Sequence, residues 1–128
     1  MDPKTIAYFL ILFFFSIVFI QSGIDKVVDK KGNMSFLLSH LGNAFPLTLI
    51  KIAFYVVTFL ELVSGLLCGL GLIQLLFFEQ KSAGLIGLVV GSLALLVLLF
   101  GQRVSKNYEG AKTITIYFIL SIAGVLLS

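Results

Sequence analysis

Four long apolar stretches, each bounded by charged or turn-forming residues, dominate the chain. They run over residues 5–21, 47–78, 84–101 and 113–127. A membrane-spanning helix needs roughly 20 mostly apolar residues, with a range of about 17 to 25. The pattern therefore predicts an all-α membrane fold, a single four-helix transmembrane domain over residues 1–128. With polar helix ends included, the predicted helices cover about 4–27, 46–78, 82–102 and 112–127.

The second stretch is too long for one span, and its first part, residues 46–58, is too apolar to stand in water. Strong tilt, the first loop or a partner protein could cover it. The first loop contains a short amphipathic pattern, with Met34, Phe36, Leu37 and Leu41 on one face and Ser35, Ser39 and His40 on the other. We expect this segment to lie at the membrane interface and cap the bundle.

Composition supports the membrane assignment, because 59% hydrophobic and 12% charged residues cannot supply a solvated surface. No small-residue cleavage site follows the first stretch, so it is expected to remain as an uncleaved helix. Cys68 is the only cysteine, which excludes an internal disulfide, a redox pair and a cysteine metal cluster. The net charge of +3 gives no indication of nucleic-acid binding, because basic residues in membrane proteins mostly encode orientation.

The basic residues are distributed unevenly between the two ends of the predicted bundle. The first face holds both termini and the loop 79–83, and the second face holds the loops 23–46 and 102–112. Lys4 and Lys81 belong to the first face, whereas seven of the nine basic residues belong to the second. The positive-inside rule predicts periplasmic termini and cytoplasmic loops 23–46 and 102–112. Low alanine with abundant Phe, Ile and Lys suggests a bacterial source, hence a multi-pass protein of the cytoplasmic membrane.

Glu61 is the first candidate for function, because an ionisable residue within an apolar stretch costs on the order of 3 kcal/mol and usually faces a partner. A helix rises ~1.5 Å per residue, which places Glu61, Lys26, Asp25 and Arg103 at similar depths near the second face. We predict a buried polar cluster of these four residues with a Lys26–Glu61 ion pair. The side chains expected within hydrogen-bonding reach are those of Gln21, Ser22, Thr58 and Gln102.

Glycines indicate where the helices approach one another. Gly65 and Gly69 form a GxxxG pair in the second span, and Gly87 and Gly91 form another in the third. Small residues let membrane helices pack closely, so the ordinary meaning of this pattern is packing within the chain. A homodimer contact is the alternative.

The end of the first helix, FIQSGIDK at residues 19–26, and the second-helix segment ELVSGLLCGLGL at residues 61–72 resemble the DoxX family of small four-helix membrane proteins. The matching positions are Gly23, Lys26, Glu61, Gly65 and Gly69. The resemblance implies an association with membrane redox systems, since named members are described as subunits of a terminal quinol oxidase or a thiosulfate:quinone oxidoreductase. Larger members of the family have additional soluble segments. This chain lacks such segments, which argues against autonomous catalysis.

The leading hypothesis is an accessory subunit of a larger, quinone-linked respiratory oxidoreductase, bound to other integral membrane subunits and to lipid. We predict no catalytic or metal-binding residues and no cofactor held by this chain alone, because haem needs axial ligands and His40 stands alone in a loop. Contact with a quinone or a lipid near Glu61 remains open. The alternative is a small homodimeric proton-coupled transporter using Glu61, and a third hypothesis is a lipid-facing scaffold without a redox link.

Overall fold

The computed structural model describes all 128 residues as five α-helices without strands. They are α1 (Pro3–Val28), α2 (Lys30–Leu41), α3 (Leu47–Phe78), α4 (Ser82–Val104) and α5 (Tyr108–Leu127). All but α2 are long and apolar enough to cross a membrane. The predicted all-α, four-helix membrane bundle is confirmed.

Helix boundaries depart from the hydropathy pattern where a polar residue caps a helix. Asp29 ends α1 and also begins α2, where its carboxylate accepts a hydrogen bond from the Gly32 amide at 3.2 Å. At the start of α5, the Asn107 side chain accepts from the Gly110 amide, so this helix begins four residues before the predicted residue 112. Caps fix helix ends through free backbone amides, which hydropathy does not register.

The helix α3 lies at the centre of the bundle and packs most extensively against α4 and α1, while α5 packs mainly against α4. One face of α1 supplies Tyr8, Leu12, Phe15 and Phe19 to the core, at the spacing of successive helical turns. The rings of Phe15 and Phe19 stack with centroids 5.2 Å apart. Because α1 and α4 both pack on α3, its inward-facing side chains such as Ser64 and Cys68 are fully buried.

Polar contacts tie the helix ends together at the first face. The Tyr8 hydroxyl donates to the Lys81 carbonyl at 3.0 Å, and the Lys81 ammonium donates to the Leu127 carbonyl at 3.0 Å. At the outer end of α1, the exposed Asp2 carboxylate accepts from the Thr5 amide, and hydrogen bonding to Thr5 lowers the pKa of Asp2. These contacts connect α1, the α3–α4 loop and α5.

The contact between Tyr8 and Lys81 gives a first prediction. Tyr8→Phe removes the hydroxyl while keeping the ring, so we expect a loss of about 1 kcal/mol in the free energy of unfolding. Titration with a denaturing detergent in mixed micelles measures it. Tyr117→Phe is the matched control, because the Tyr117 hydroxyl has no hydrogen-bond partner within the chain. Equal losses for the two variants would contradict a stabilising role for this bond.

Candidate functional site

The site is built where α1 and α3 cross near the second face. A Cβ atom at Gly65 would lie 2.9 Å from the Ile20 backbone nitrogen, so only glycine permits this approach of the two backbones. Gly23 of α1 faces Leu62 of α3 in the same way, with a hypothetical Cβ 2.5 Å from the leucine side chain. The crossing therefore lies within one helical turn of both Lys26 and Glu61.

Glu61 and Lys26 form an ion pair beside this crossing. The Lys26 ammonium lies 3.0 Å from Glu61 Oε1 and donates a hydrogen bond to Oε2 at 3.3 Å and another to the Ser22 hydroxyl at 2.8 Å. Glu61 is only 1% exposed, whereas the Lys26 side chain is 16% exposed. The pair that the depth count predicts is thus present, and it neutralises a carboxylate that is almost fully enclosed.

The two carboxylate oxygens of Glu61 differ in their hydrogen bonds. Oε1 is the closer to the ammonium, but the angles there do not meet the geometry of a hydrogen bond, and Oε1 has no other donor. The Nζ–Oε1 separation of 3.0 Å sets the electrostatic attraction, because Coulomb energy depends on separation and not on the hydrogen angle. Glu61 therefore has charge compensation but an incomplete set of hydrogen bonds.

The predicted buried cluster is wrong for two of its four members. Asp25 is exposed and accepts a hydrogen bond from the Asn33 side chain at 3.2 Å. Arg103 is also exposed, with its guanidinium 4.9 Å from the ring centroid of Tyr108. The depth count sets the level of a residue along a helix but not the direction in which it points, and successive residues point about 100° apart.

Of the polar side chains predicted to lie within hydrogen-bonding reach of the cluster, only one contacts the ion pair. Ser22 joins the ion pair, whereas Gln21 is exposed and the Thr58 hydroxyl donates to the Phe54 carbonyl of its own helix at 2.7 Å. Gln102 is partly buried near the end of α4, and its Oε1 atom is enclosed without a hydrogen-bond donor. The sequence placed Gln102 at the correct level but gave no sign of this unpaired oxygen.

The predicted packing glycines differ in how closely they are enclosed. Gly87 faces the backbone of Cys68 at 2.9 Å, and Gly91 faces Phe19 and the Ser64 hydroxyl at 2.5 Å, measured from hypothetical Cβ atoms. Gly69 is looser, with Ser16 Oγ as its nearest neighbour at 3.4 Å. Gly65, Gly87 and Gly91 thus occupy tight helix contacts, while Gly69 has room for a methyl group.

The closest approach of a glycine in α3 or α4 to the backbone of the other helix was not predicted. A Cβ atom at Gly71 would lie 2.7 Å from the Gly84 Cα atom and 2.8 Å from its nitrogen. The signal that could have identified this contact is weak, because it requires pairing one glycine of α3 with one of α4, and neither belongs to the predicted GxxxG pairs.

The amphipathic segment of the first loop is helical but oriented differently from the expectation. The rings of Phe36 and His40 lie 4.1 Å apart, so His40 is on the same face as Phe36 and not opposite it. Residues four apart are neighbours on a helix, which explains the pairing. Leu37 and Leu41 of this face line a cavity against α3 and α4, and this cavity was not predicted from the sequence.

No group of three or more His, Cys, Asp and Glu side chains converges as a metal site would require. Comparisons of the chain with protein-family models, with curated proteins and with solved structures give no match.

Proposed function

We propose that this chain is a DoxX-like accessory subunit of a larger, quinone-linked membrane oxidoreductase, structural rather than catalytic by itself. Its role is to pack against the transmembrane helices of a catalytic partner. The observation that carries the proposal is an apolar stripe on α3 that is longer than a bilayer can cover.

The stripe consists of exposed apolar side chains at helical spacing along the outer face of α3. Its members are Leu49, Ile52, Val56, Phe59, Leu66, Leu70, Ile73 and Phe77. From Leu49 to Phe77 the helix rises about 42 Å, whereas the hydrocarbon core is about 30 Å thick. Tilt alone would have to reach about 44°, which is beyond the usual range of about 0 to 40°. The end of the stripe near Leu49 and Ile52 is therefore where a protein partner is needed.

An interfacial boundary near Tyr55 supports the same conclusion. The Lys30 ammonium lies 4.8 Å from the centroid of the Tyr55 ring, and Lys51 lies on the same side of the molecule. Tyrosine and lysine are typical of membrane–water interfaces. Leu49 and Ile52, which precede Tyr55, are about half-exposed on the far side of this boundary.

The two segments on which the DoxX resemblance rests meet at one place. Gly23 and Lys26 of α1 lie against Leu62 and Glu61 of α3, and Gly65 lies against Ile20. This arrangement supports the interpretation of the motif as a device that holds α1 and α3 together. Because Glu61 is already compensated by Lys26, the geometry favours a structural carboxylate over the transporter alternative, in which a free carboxylate would carry protons.

Site-specific photo-crosslinking tests the proposal. A photoreactive residue such as benzoylphenylalanine replaces Ile52 in one variant and Leu70 in another; each native side chain is 55% exposed and belongs to the same stripe. In native membranes we expect the probe at Ile52 to capture a cytochrome or an iron–sulfur protein, and the probe at Leu70 to react mainly with lipid. Mass spectrometry of the adduct and an optical haem spectrum of the complex purified in mild detergent identify the partner.

Three outcomes would contradict the accessory role. One is a colourless homodimer as the purified species, and another is an Ile52 adduct consisting only of two copies of this chain. The third is pH-driven flux through liposomes that Glu61→Gln abolishes, which would favour the transporter.

A further inference from the structure

A cavity of about 400 Å³ lies between α2, the first half of α3 and the end of α4. Its wall is mainly apolar and aromatic, with contributions from Leu37, Phe45, Ile50, Phe54 and Phe100. Ligand pockets commonly measure about 300 to 1,000 Å³ and combine apolar walls with a few polar groups. The volume is suited to a small headgroup together with the first part of an apolar chain.

The only ionisable side chains among the residues that line the cavity are those of Lys26 and His40, and His40 Nδ1 already lies 2.9 Å from the Phe36 carbonyl oxygen. The Lys26 ammonium also lines the wall, but it is already paired with the Glu61 carboxylate. A charged headgroup would have to compete with that pair, whereas an uncharged one would not. The site therefore favours an uncharged molecule.

Gln102 supplies the specific polar contact. Its side chain lines the cavity, while its Oε1 atom is enclosed by the protein and has no donor. A ligand therefore pairs with this amide only after the end of the side chain rotates toward the cavity. An unpaired buried amide is costly, and a ligand that completes its hydrogen bonds gains that energy. A hydroxyl group both donates and accepts, so it can pair with the Gln102 amide in either of the two orientations of that side chain.

We propose that this cavity binds a membrane-soluble amphiphile with an uncharged, hydroxyl-bearing headgroup, which hydrogen-bonds to Gln102 while the apolar part packs against Phe45, Phe54 and Phe100. A glycerolipid with free hydroxyls and a hydroquinone with an alkyl chain share this chemistry. Leu49 both lines this cavity and belongs to the stripe end assigned to the partner, so the site is tested on the purified chain without a partner, where the outcome does not depend on the accessory role.

Tryptophan fluorescence offers a direct test, because the chain contains no tryptophan. Phe45→Trp places a reporter in the cavity wall, and Phe13→Trp places a matched reporter on α1, half-exposed and outside the cavity. In nanodiscs of phosphatidylcholine, each is titrated with the monoglyceride of dibromostearic acid, with methyl dibromostearate and with decylhydroquinone. Bromine and hydroquinone quench indole fluorescence at short range. Methyl dibromostearate has the brominated chain but no hydroxyl.

We expect saturable quenching of the Phe45→Trp reporter by at least one of the hydroxyl-bearing probes and only unsaturable quenching of the Phe13→Trp reporter. Introducing Gln102→Leu should raise the apparent dissociation constant of the saturable phase by about twofold to tenfold, as expected for the loss of one hydrogen bond. Ala53→Phe, which fills the cavity from α3, should abolish it. If only the monoglyceride saturates, the ligand is a lipid; if only decylhydroquinone does, it is a redox carrier.

The headgroup assignment is overturned if methyl dibromostearate binds as tightly as the monoglyceride and decylhydroquinone does not saturate, or if Gln102→Leu has no effect. The site itself is overturned if no probe saturates, or if both reporters respond alike. Gln102→Leu nearly preserves side-chain volume, so it keeps the test decisive even if the larger Ala53→Phe change prevents folding.

Discussion

Lys26→Met and Glu61→Gln are each expected to destabilise the bundle strongly, by up to about 3–5 kcal/mol, because each leaves a buried or partly buried partner uncompensated. Lys26→Met should cost more, since Glu61 is 1% exposed and cannot reach water, whereas Lys26 is 16% exposed and has a flexible stem. The free energy of unfolding, measured by detergent titration in mixed micelles, gives the ranking.

The double variant decides whether the two residues act as a pair. It should cost less than the sum of the single changes, with a coupling energy of about 0.5–3 kcal/mol. Asp25→Asn and Arg103→Gln are matched controls, because both residues lie at the same depth but are exposed, and they should change stability by no more than about 0.5 kcal/mol. Additive costs for Lys26→Met and Glu61→Gln would show that the ion pair is not a stabilising unit.

Gly71→Ala is expected to produce the second large effect, a loss of about 1–3 kcal/mol typical of overpacking. The added methyl group would meet the Gly84 Cα atom at 2.7 Å and its nitrogen at 2.8 Å. Both are backbone atoms, so relief requires moving α3 and α4 apart rather than rotating a side chain. The same movement would loosen the neighbouring contact in which the Ser64 hydroxyl donates to the Gly87 carbonyl at 2.6 Å.

Gly69→Ala is the matched control for this change. It lies two residues earlier in the same helix, yet its added methyl group would meet only the Ser16 hydroxyl oxygen at 3.4 Å. We expect it to be neutral or slightly stabilising, because alanine is the better helix former. Detergent titration of both variants measures the difference, and equal changes in the free energy of unfolding would contradict a special role for the Gly71–Gly84 contact.

The sequence was sufficient to predict the four spans and the common level of Lys26 and Glu61. Hydropathy identifies segments that prefer lipid, and a constant rise per residue converts position into depth. The Lys26–Glu61 pair followed from depth together with opposite charge. These properties depend on one helix at a time, which is why they can be obtained without knowing how the helices pack.

The direction of each side chain around the bundle could not be predicted in the same way. Asp25 and Arg103 share the depth of the ion pair but point outward, and the Gly71–Gly84 contact depends on the register of two helices. The cavity beside Gln102 depends on three helices at once. Such features arise from packing, where many faces of similar hydrophobicity compete, so no local pattern specifies them.

The helix α2, which forms one wall of the cavity, is attached to the bundle by two short connections. A single residue separates α1 from α2, and a short turn over residues 42–46 connects α2 to α3. The helix α2 is therefore a rod about 18 Å long that is joined to its neighbours by one short connection at each end. A rotation of 10° about Asp29 would displace its far end, near Gly101, by about 3 Å. Because α2 forms one wall of the cavity, such a rotation would change the width of the cavity while the four membrane-spanning helices keep their positions.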